Sequence, residues 1–332
     1  MSDDLLEVRG LRVTMRGAAG GRAPVVHDLS LRLAAGEALG LVGESGSGKT
    51  TTLRAILRLL PAAGRIAAGQ VLFAGQDLAR VRERDLRAVR GGRIGVVWQD
   101  PLAALDPLMR VGEQIAEVIR AHGRGASRRE AHQRALGLMR QVELPGAEAM
   151  FRRYPHELSG GQRQRIVIAS AIAAGPRLLL ADEPTTALDV TIQDQILTLL
   201  ARLRAELGLA LLLVTHDLAV VWQTCDRVAV MYAGRIVEEG PVASVFAAPR
   251  HHYTRGLLGA APSLEMPGVL PRGIPGTQPG PTGAPGCAFA PRCPASDHKC
   301  RTVTPVLAAP SGDGHPAACH HPLPTGLGAG RA

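Results

Sequence analysis

Gly43-Glu44-Ser45-Gly46-Ser47-Gly48-Lys49-Thr50 is the most informative segment of the chain. It fits G-x-x-x-x-G-K-[ST], a P-loop: glycines turn successive backbone N–H groups toward phosphates, lysine reaches the β- and γ-phosphates, and the hydroxyl ligates Mg²⁺. The chain has 38 basic residues, and only Lys49 and Lys299 are lysines. At position 49 a compact ammonium on a thin stem enters a tight loop of amides that a planar guanidinium is too broad to enter. A Gly/Ser turn with a stray lysine would account for the string alone. The flanks ask for more, because Ala38–Val42 reads as an apolar strand running into the loop and Thr51–Leu60 as a helix that Pro61 ends.

A chain of 332 residues is long enough for a large core and one to three domains, and 46% apolar content suits a globular chain. No run approaches the roughly 20 apolar residues of a spanning helix. Met1–Arg9 carries Asp3, Asp4 and Glu7 and has no apolar signal core, so a cytosolic chain without a span of its own is expected. The net charge of +9 is divided as +5 on the first 240 residues and +4 on the rest, so no basic stripe forms. With 3% aromatics there is also little for bases to stack on. Nucleic acid is therefore not an expected partner.

Residues 5–35 read as short alternating strands, including Leu5–Val8 and Val26–Leu33. Further strands are expected at Ile94–Trp98, Leu178–Ala181, Leu209–Thr215 and Val228–Tyr232, and helices across Val111–Arg140 with a turn at Gly123–Ser127. Strands alternating with helices imply an α/β fold with a parallel sheet covered on both faces. Beyond Gly240, Pro262–Gly286 is rich in Pro and Gly and reads as linker or irregular wrap.

Hydrolysis needs a carboxylate at the end of a buried strand, and Leu178-Leu179-Leu180-Ala181-Asp182-Glu183 supplies two. Asp182 would hold the Mg²⁺ shell and Glu183 would polarise the attacking water. Read as structure alone, both are caps of a following helix. Leu158-Ser159-Gly160-Gly161-Gln162 opens a helix running to about Ala173, giving either an anion-binding N-terminus or a plain N-cap.

Taken in order with Gln99 after its strand and His216 after Leu209–Thr215, these motifs resemble the ATP-binding-cassette (ABC) ATPases along nearly the whole chain. The resemblance implies a P-loop NTPase (RecA-like) core with an antiparallel β subdomain and a helical subdomain, plus an irregular Cys-rich C-terminal extension. The boundaries expected are residues 1–240 for the nucleotide-binding domain, with a helical subdomain at about 100–165, a linker and wrap at 241–285, and a Cys-rich module at 286–332. The implied ATP contacts are Gly43, Glu44, Ser45, Gly46, Ser47, Gly48, Lys49, Thr50 and Thr51, with Ser159, Gly160, Gly161 and Gln162 closing over the ATP of a partner cassette. Thr50, Gln99 and Asp182 would hold Mg²⁺. Gln99 would also link the site to membrane subunits, His216 would contact the γ-phosphate, and Ala187-Leu188-Asp189 would cross to the opposite site. Lys49, Gln99, Glu183 and His216 form the implied catalytic set. The family stacks an aromatic on adenine, yet residues 1–72 contain no Phe, Tyr or Trp, which leaves Met15 and Val25 to receive the base.

Gln99–Pro107, Tyr154–Glu157 and Asp182–Val190 are similar to the dipeptide and oligopeptide importer branch, which also includes nickel importers. That branch implies an ATPase energising peptide import from the cytoplasmic face of the membrane. Its implied partners are two polytopic permease subunits, a second cassette that is a paralogue or else another copy, and indirectly a solute-binding protein. DNA-repair and translation members would carry a tandem cassette or a coiled-coil insertion. The tail fits the same branch: Cys287, Cys293, Cys300 and Cys319 resemble a region that carries an iron–sulfur cluster in some members. Four thiols in a cytosolic chain favour a metal over disulfides. Gaps of five, six and eighteen residues do not match zinc C-x₂-C pairs. A [4Fe–4S] cluster leads, zinc with His298, His315, His320 or His321 follows, and an empty module remains open. Cys225 reads as an inert core thiol.

Overall fold

The structure, a computed structural model, describes residues 4–17, 20–123, 126–186, 188–260, 273–277, 285–309 and 312–324. In chain order these form β1 (Asp4–Arg16), β2 (Arg22–Ala34), β3 (Ala38–Val42), α1 (Lys49–Ile56), β4 (Gly64–Phe73), β5 (Gln76–Asp77), α2 (Glu83–Val89) and β6 (Ile94–Val97). Then follow α3 (Pro101–Ala104), α4 (Val111–His122), α5 (Arg128–Gln141), α6 (Ala147–Met150), α7 (Gly160–Ile172), β7 (Leu178–Asp182), α8 (Val190–Leu207) and β8 (Ala210–Thr215). The last elements are α9 (Leu218–Thr224), β9 (Arg227–Tyr232), β10 (Arg235–Pro241), α10 (Val242–Ala247), α11 (His252–Ala260) and α12 (His298–Thr302).

The chain divides into two compact units. The first comprises Met1–Leu5, Leu33–Glu37 and Arg80–Leu213. In it β6 runs parallel to β7, with Ile94 opposite Leu178 and Val97 opposite Ala181. All five β7 residues are buried, as an apolar strand of a covered parallel sheet requires. Helices α3 to α7 supply the helical part, and a Ser127–Glu130 capping box starts α5 where the sequence predicts a turn.

The second unit comprises Leu6–Arg32, Ala38–Ala79 and Val214–Ala332. It contains the antiparallel sheet, in the order β2-β1-β4-β5. It also pairs β3 parallel to β9 (Leu41 opposite Ala229) and β9 antiparallel to β10. Its core runs without a break from Val42, Val228 and Tyr232 through Val245 and Tyr253 to Phe289 of the cysteine segment. Tyr232, Tyr253 and Phe289 pack tilted and edge-on against one another, with ring centroids 4.5, 5.3 and 5.5 Å apart.

The tail differs from the sequence expectation. Residues 242–260, assigned to a linker, form α10 and α11 and bury Tyr253 completely, because their apolar side chains complete the core over β9 and β10. Most of Pro262–Gly286 lies outside the described residues. The helix after the P-loop is also shorter than expected and stops at Ile56. Arg58 takes a left-handed conformation (φ 53°), Leu59 N–H closes back on the Arg54 carbonyl at 2.8 Å, and the Arg58 guanidinium donates to the Leu78 carbonyl.

Glu238, fully buried on β10, accepts from the N–H groups of Arg250 and His251 and pairs with His315 Nε2 at 2.7 Å. His251 Nδ1 accepts the Tyr253 N–H at 3.0 Å, so its neutral ring carries the proton on Nε2. Burial drives the His251 pKa down to about 4. Below the ordinary histidine range the unfolded chain binds a proton that the folded chain refuses, so stability falls as pH drops from about 6.5 toward 4. We expect this residue to account for up to about 3 kcal/mol of that loss. His251→Asn keeps an acceptor for the Tyr253 N–H. Urea melts at pH 7 and 4.5 should show a smaller acid loss for this variant than for the parent.

Candidate functional site: a phosphate loop, a carboxylate pair and a cysteine pocket

The phosphate loop belongs to the second unit. Strand β3 is buried throughout and anchored at its start, where Ala38 N–H meets the Asp226 carboxylate at 2.8 Å. At Gly43 (φ 155°) a Cβ would lie 2.1 Å from the Met231 carbonyl oxygen. At Gly48 (φ 106°) it would meet Met231 Cε at 2.8 Å and Val25 O at 3.2 Å, so a side chain at either position would push the loop off its strand. Ser47 is fully buried, and its carbonyl accepts from Gly234 N–H at 2.8 Å. Ser45 and Gly46 form the exposed crown.

Lys49 is 5% exposed, and its Nζ donates to the carbonyls of Gly43 at 2.6 Å and Glu44 at 3.0 Å. The ammonium thus sits inside the bend of its own loop. Thr50 and Thr51 follow in the first turn of α1, a helix whose N-cap Gly48 gives no side-chain cap bond. Backbone amides and a cation facing one space form an anion cradle.

Glu44 is held by two residues that the sequence reading did not single out. Its N–H donates to the Tyr253 hydroxyl at 2.8 Å, and its carboxylate takes two bonds from Arg292, at 2.7 and 3.0 Å. His216 is exposed just after β8, and the next residue, Asp217, caps α9. Val25 adjoins the loop through its carbonyl, whereas Met15 lies opposite Gly64, where a Cβ would meet its Sδ at 2.8 Å.

The carboxylate pair belongs to the first unit. Gln99 and Glu183 each lie two residues beyond the paired positions Val97 and Ala181, so the parallel register sets them side by side. Gln99 Nε2 donates to Glu183 Oε2 at 3.3 Å, and Thr186 Oγ1 donates to the same oxygen at 2.9 Å. Asp182 is 2% exposed at the end of β7. Glu183 has φ 46°, a left-handed conformation that costs a non-glycine residue about 1 kcal/mol or more and gathers at functional sites.

Ser159 caps α7 in a reciprocal box with Gln162, at 3.3 and 3.0 Å. A Cβ on Gly161 would strike Ile192 Cγ2 of α8 at 2.7 Å and one on Gly160 would crowd Leu188, just before α8, at 3.3 Å, so the two glycines let α7 approach α8 and the residues that lead into it. Asp189 caps α8 through Ile192 N–H, and Ala187 lies outside the described residues.

Cys287, Cys293, Cys300 and Cys319 line one pocket in the second unit. Backbone N–H groups of Phe289 and Ala290 point at the Cys287 sulfur, that of Ala295 at Cys293 and that of His321 at Cys319. Burial raises all four thiol pKa values, that of Cys319 to about 11. A sulfur pocket ringed by N–H donors suits thiolates that are bound rather than free. Of the histidines considered for zinc, His315 is committed to Glu238 and His320 to the Val303 carbonyl. His321 instead lies with Cys300 and Asp297, the donor atoms all within 4.8 Å of one another. Backbone and side-chain contacts at Cys300 together with His321 hold the Asp297 carboxyl far below the carboxylate range.

Residues 26–186 match the family model described as ABC transporter, and residues 237–300 match the one described as oligopeptide/dipeptide transporter, C-terminal region. Over 320 residues the chain is 46% identical to the oligopeptide transport ATP-binding protein OppD of Salmonella typhimurium, covering 96% of this chain and 94% of that protein. It is 44% identical over 324 residues to the probable D,D-dipeptide transport ATP-binding protein DdpD of Escherichia coli, covering 97% and 98%. A solved dimeric ATP-binding cassette in a post-hydrolysis state with ADP and Pi superposes with a TM-score of 0.64 at 30% identity, over 71% of this chain and 98% of that one.

Proposed function

The chain belongs to the ATP-binding subunits of ABC transporters, in the oligopeptide and dipeptide branch, and from that premise we propose that it hydrolyses ATP to energise peptide import through a membrane complex. The Gln99–Glu183 pair carries the chemical part of this reading: a carboxylate fixed at the end of a buried strand by two hydrogen-bond donors. In the reaction Glu183 orients a water toward the γ-phosphorus, the loop amides and Lys49 take up charge on the β/γ oxygens, and His216 holds the γ-phosphate. Ser159 and Gly160 of a second cassette complete the site. Thr50, Gln99 and Asp182 offer hydroxyl, amide and carboxylate oxygens, the donor set a hard cation takes, and Mg²⁺ bound there would neutralise phosphate charge. Adenine would rest on apolar residues such as Val25 and Met15 rather than on a ring.

Among the described residues no helix is long and apolar enough to cross a membrane. The family implies permease partners and a paired cassette, and with them attachment to the cytoplasmic face. We assign two permease subunits, a paralogous second cassette and an external binding protein that delivers the peptide. Pull-down of the tagged chain from solubilised membranes should bring two polytopic membrane proteins and a second cassette. Recovery of ribosomes or DNA instead would overturn this assignment.

Cys287, Cys293, Cys300 and Cys319 would hold a [4Fe–4S] cluster, supported by the shared pocket and its ring of N–H donors. Anaerobically purified protein should contain about four iron and four sulfide per chain. Zinc without sulfide would favour the Asp297–Cys300–His321 set, and absence of both metals would leave the module a structural clasp.

A further inference from the structure

The guanidinium of Arg292 is among the most thoroughly engaged polar groups described. Its five N–H groups have five acceptors: Pro275 O from Nε at 2.9 Å, Glu44 Oε2 and the Tyr232 hydroxyl from Nη1 at 2.7 and 3.3 Å, and Glu44 Oε1 and Ile274 O from Nη2 at 3.0 and 3.2 Å. The side chain is 5% exposed, and its charge lies near the faces of Tyr232 and Phe289 at 5.9 Å. Arginine fills this fork as lysine cannot.

The partner matters as much as the count. Glu44 is the second residue of the phosphate loop, so a carboxylate stands among amides arranged for an anion, and left alone it would repel one. Arg292 cancels that charge from 248 positions away in the sequence, and it is the residue next to Cys293. Tyr253, also from the C-terminal extension, holds the N–H of the same residue.

We propose that Arg292 is a positioning residue of the nucleotide site, the point at which the cysteine module balances the Glu44 charge and fixes the phosphate loop for ATP. This rests on the nucleotide reading of the loop given above. The tail is then part of the ATP site and sets its affinity, and a shift of the Cys287–Cys293 segment reaches the loop through one side chain.

The test is equilibrium binding of a fluorescent ATP analogue, with Mg²⁺, to the full-length chain, together with thermal melts of each variant. Arg292→Ala should bind about tenfold more weakly, because it leaves Glu44 partly buried and unpaired. Glu44→Gln should bind about threefold more tightly, the retained Arg292 then adding its charge to the cradle. The double variant should recover most of the Arg292→Ala loss. A merely structural Arg292 gives another pattern: a lower melting temperature with unchanged affinity, or a double variant as weak as Arg292→Ala, and either result overturns the proposal. If Arg292→Ala does not fold, Arg292→Lys takes its place, with affinity between those of the parent and the Ala prediction expected and parent affinity counting against the proposal. Lys49→Ala separates the two levels. If it loses ATP while Arg292→Ala does not, only this inference fails; if the parent itself ignores ATP, the nucleotide reading and this inference fail together.

Discussion

Glu183→Gln is expected to bind ATP and to hydrolyse it at less than about a tenth of the parent rate, since a positioned general base contributes at least that much. The substitution is nearly isosteric. The Gln99 and Thr186 donors keep an oxygen to bond, so the loop after β7 and its left-handed backbone at position 183 should persist. What is lost is the negative charge that draws a proton from the attacking water. Single-turnover hydrolysis at saturating ATP isolates that step, and a parent-like rate would remove Glu183 from the role of base.

Lys49→Ala is expected to fail earlier, at binding, with ATP affinity weaker by on the order of a hundredfold, the loss of charged hydrogen bonds to phosphate. The Nζ bonds to the Gly43 and Glu44 carbonyls disappear as well, so the loop loses the cation that bridges its bend. Lys49→Arg should not restore binding. The ammonium occupies a 5%-exposed space inside the loop, and a guanidinium there would displace the backbone. Isothermal titration with ATP and Mg²⁺ on all three proteins checks the order, and retained affinity in the Ala variant would contradict the cradle.

The contrast between Lys49 and Arg292 shows what the sequence made legible. Lys49 stood out because the chain uses arginine almost everywhere else. Arg292 is hidden by the same bias, one basic residue among 38, and its meaning depends on a contact with Glu44 that no local pattern encodes. Gln99 beside Glu183 was readable because both lie at the ends of buried apolar strands, and parallel register does the rest.

Strands without apolar alternation were missed. β4 is rich in Gly and Ala, and at Gly69 (φ 97°) a Cβ would lie 2.6 Å from Gly10 O, in a stretch where the pairing with β1 shifts register. β10 carries two adjacent glutamates, an unusual pair for a strand, and Glu238 is fully buried against Arg250 and His315. The family resemblance implies phosphate and crossing roles for Ser159 and Asp189, and within a single chain both are helix caps. A cap at a helix start and a contact to a partner's nucleotide make the same demand on a side chain, an oxygen facing outward from the first turn.

Peptide uptake by sealed proteoliposomes shows whether this chain drives peptide import. The vesicles would contain the permease subunits and both cassettes, with ATP inside and the binding protein outside. We expect uptake of labelled peptide that requires internal ATP, accompanied by peptide-stimulated phosphate release, with both cut to less than about a tenth by Glu183→Gln in this chain. Phosphate release with no peptide accumulation, or uptake unaffected by Glu183→Gln, would contradict it.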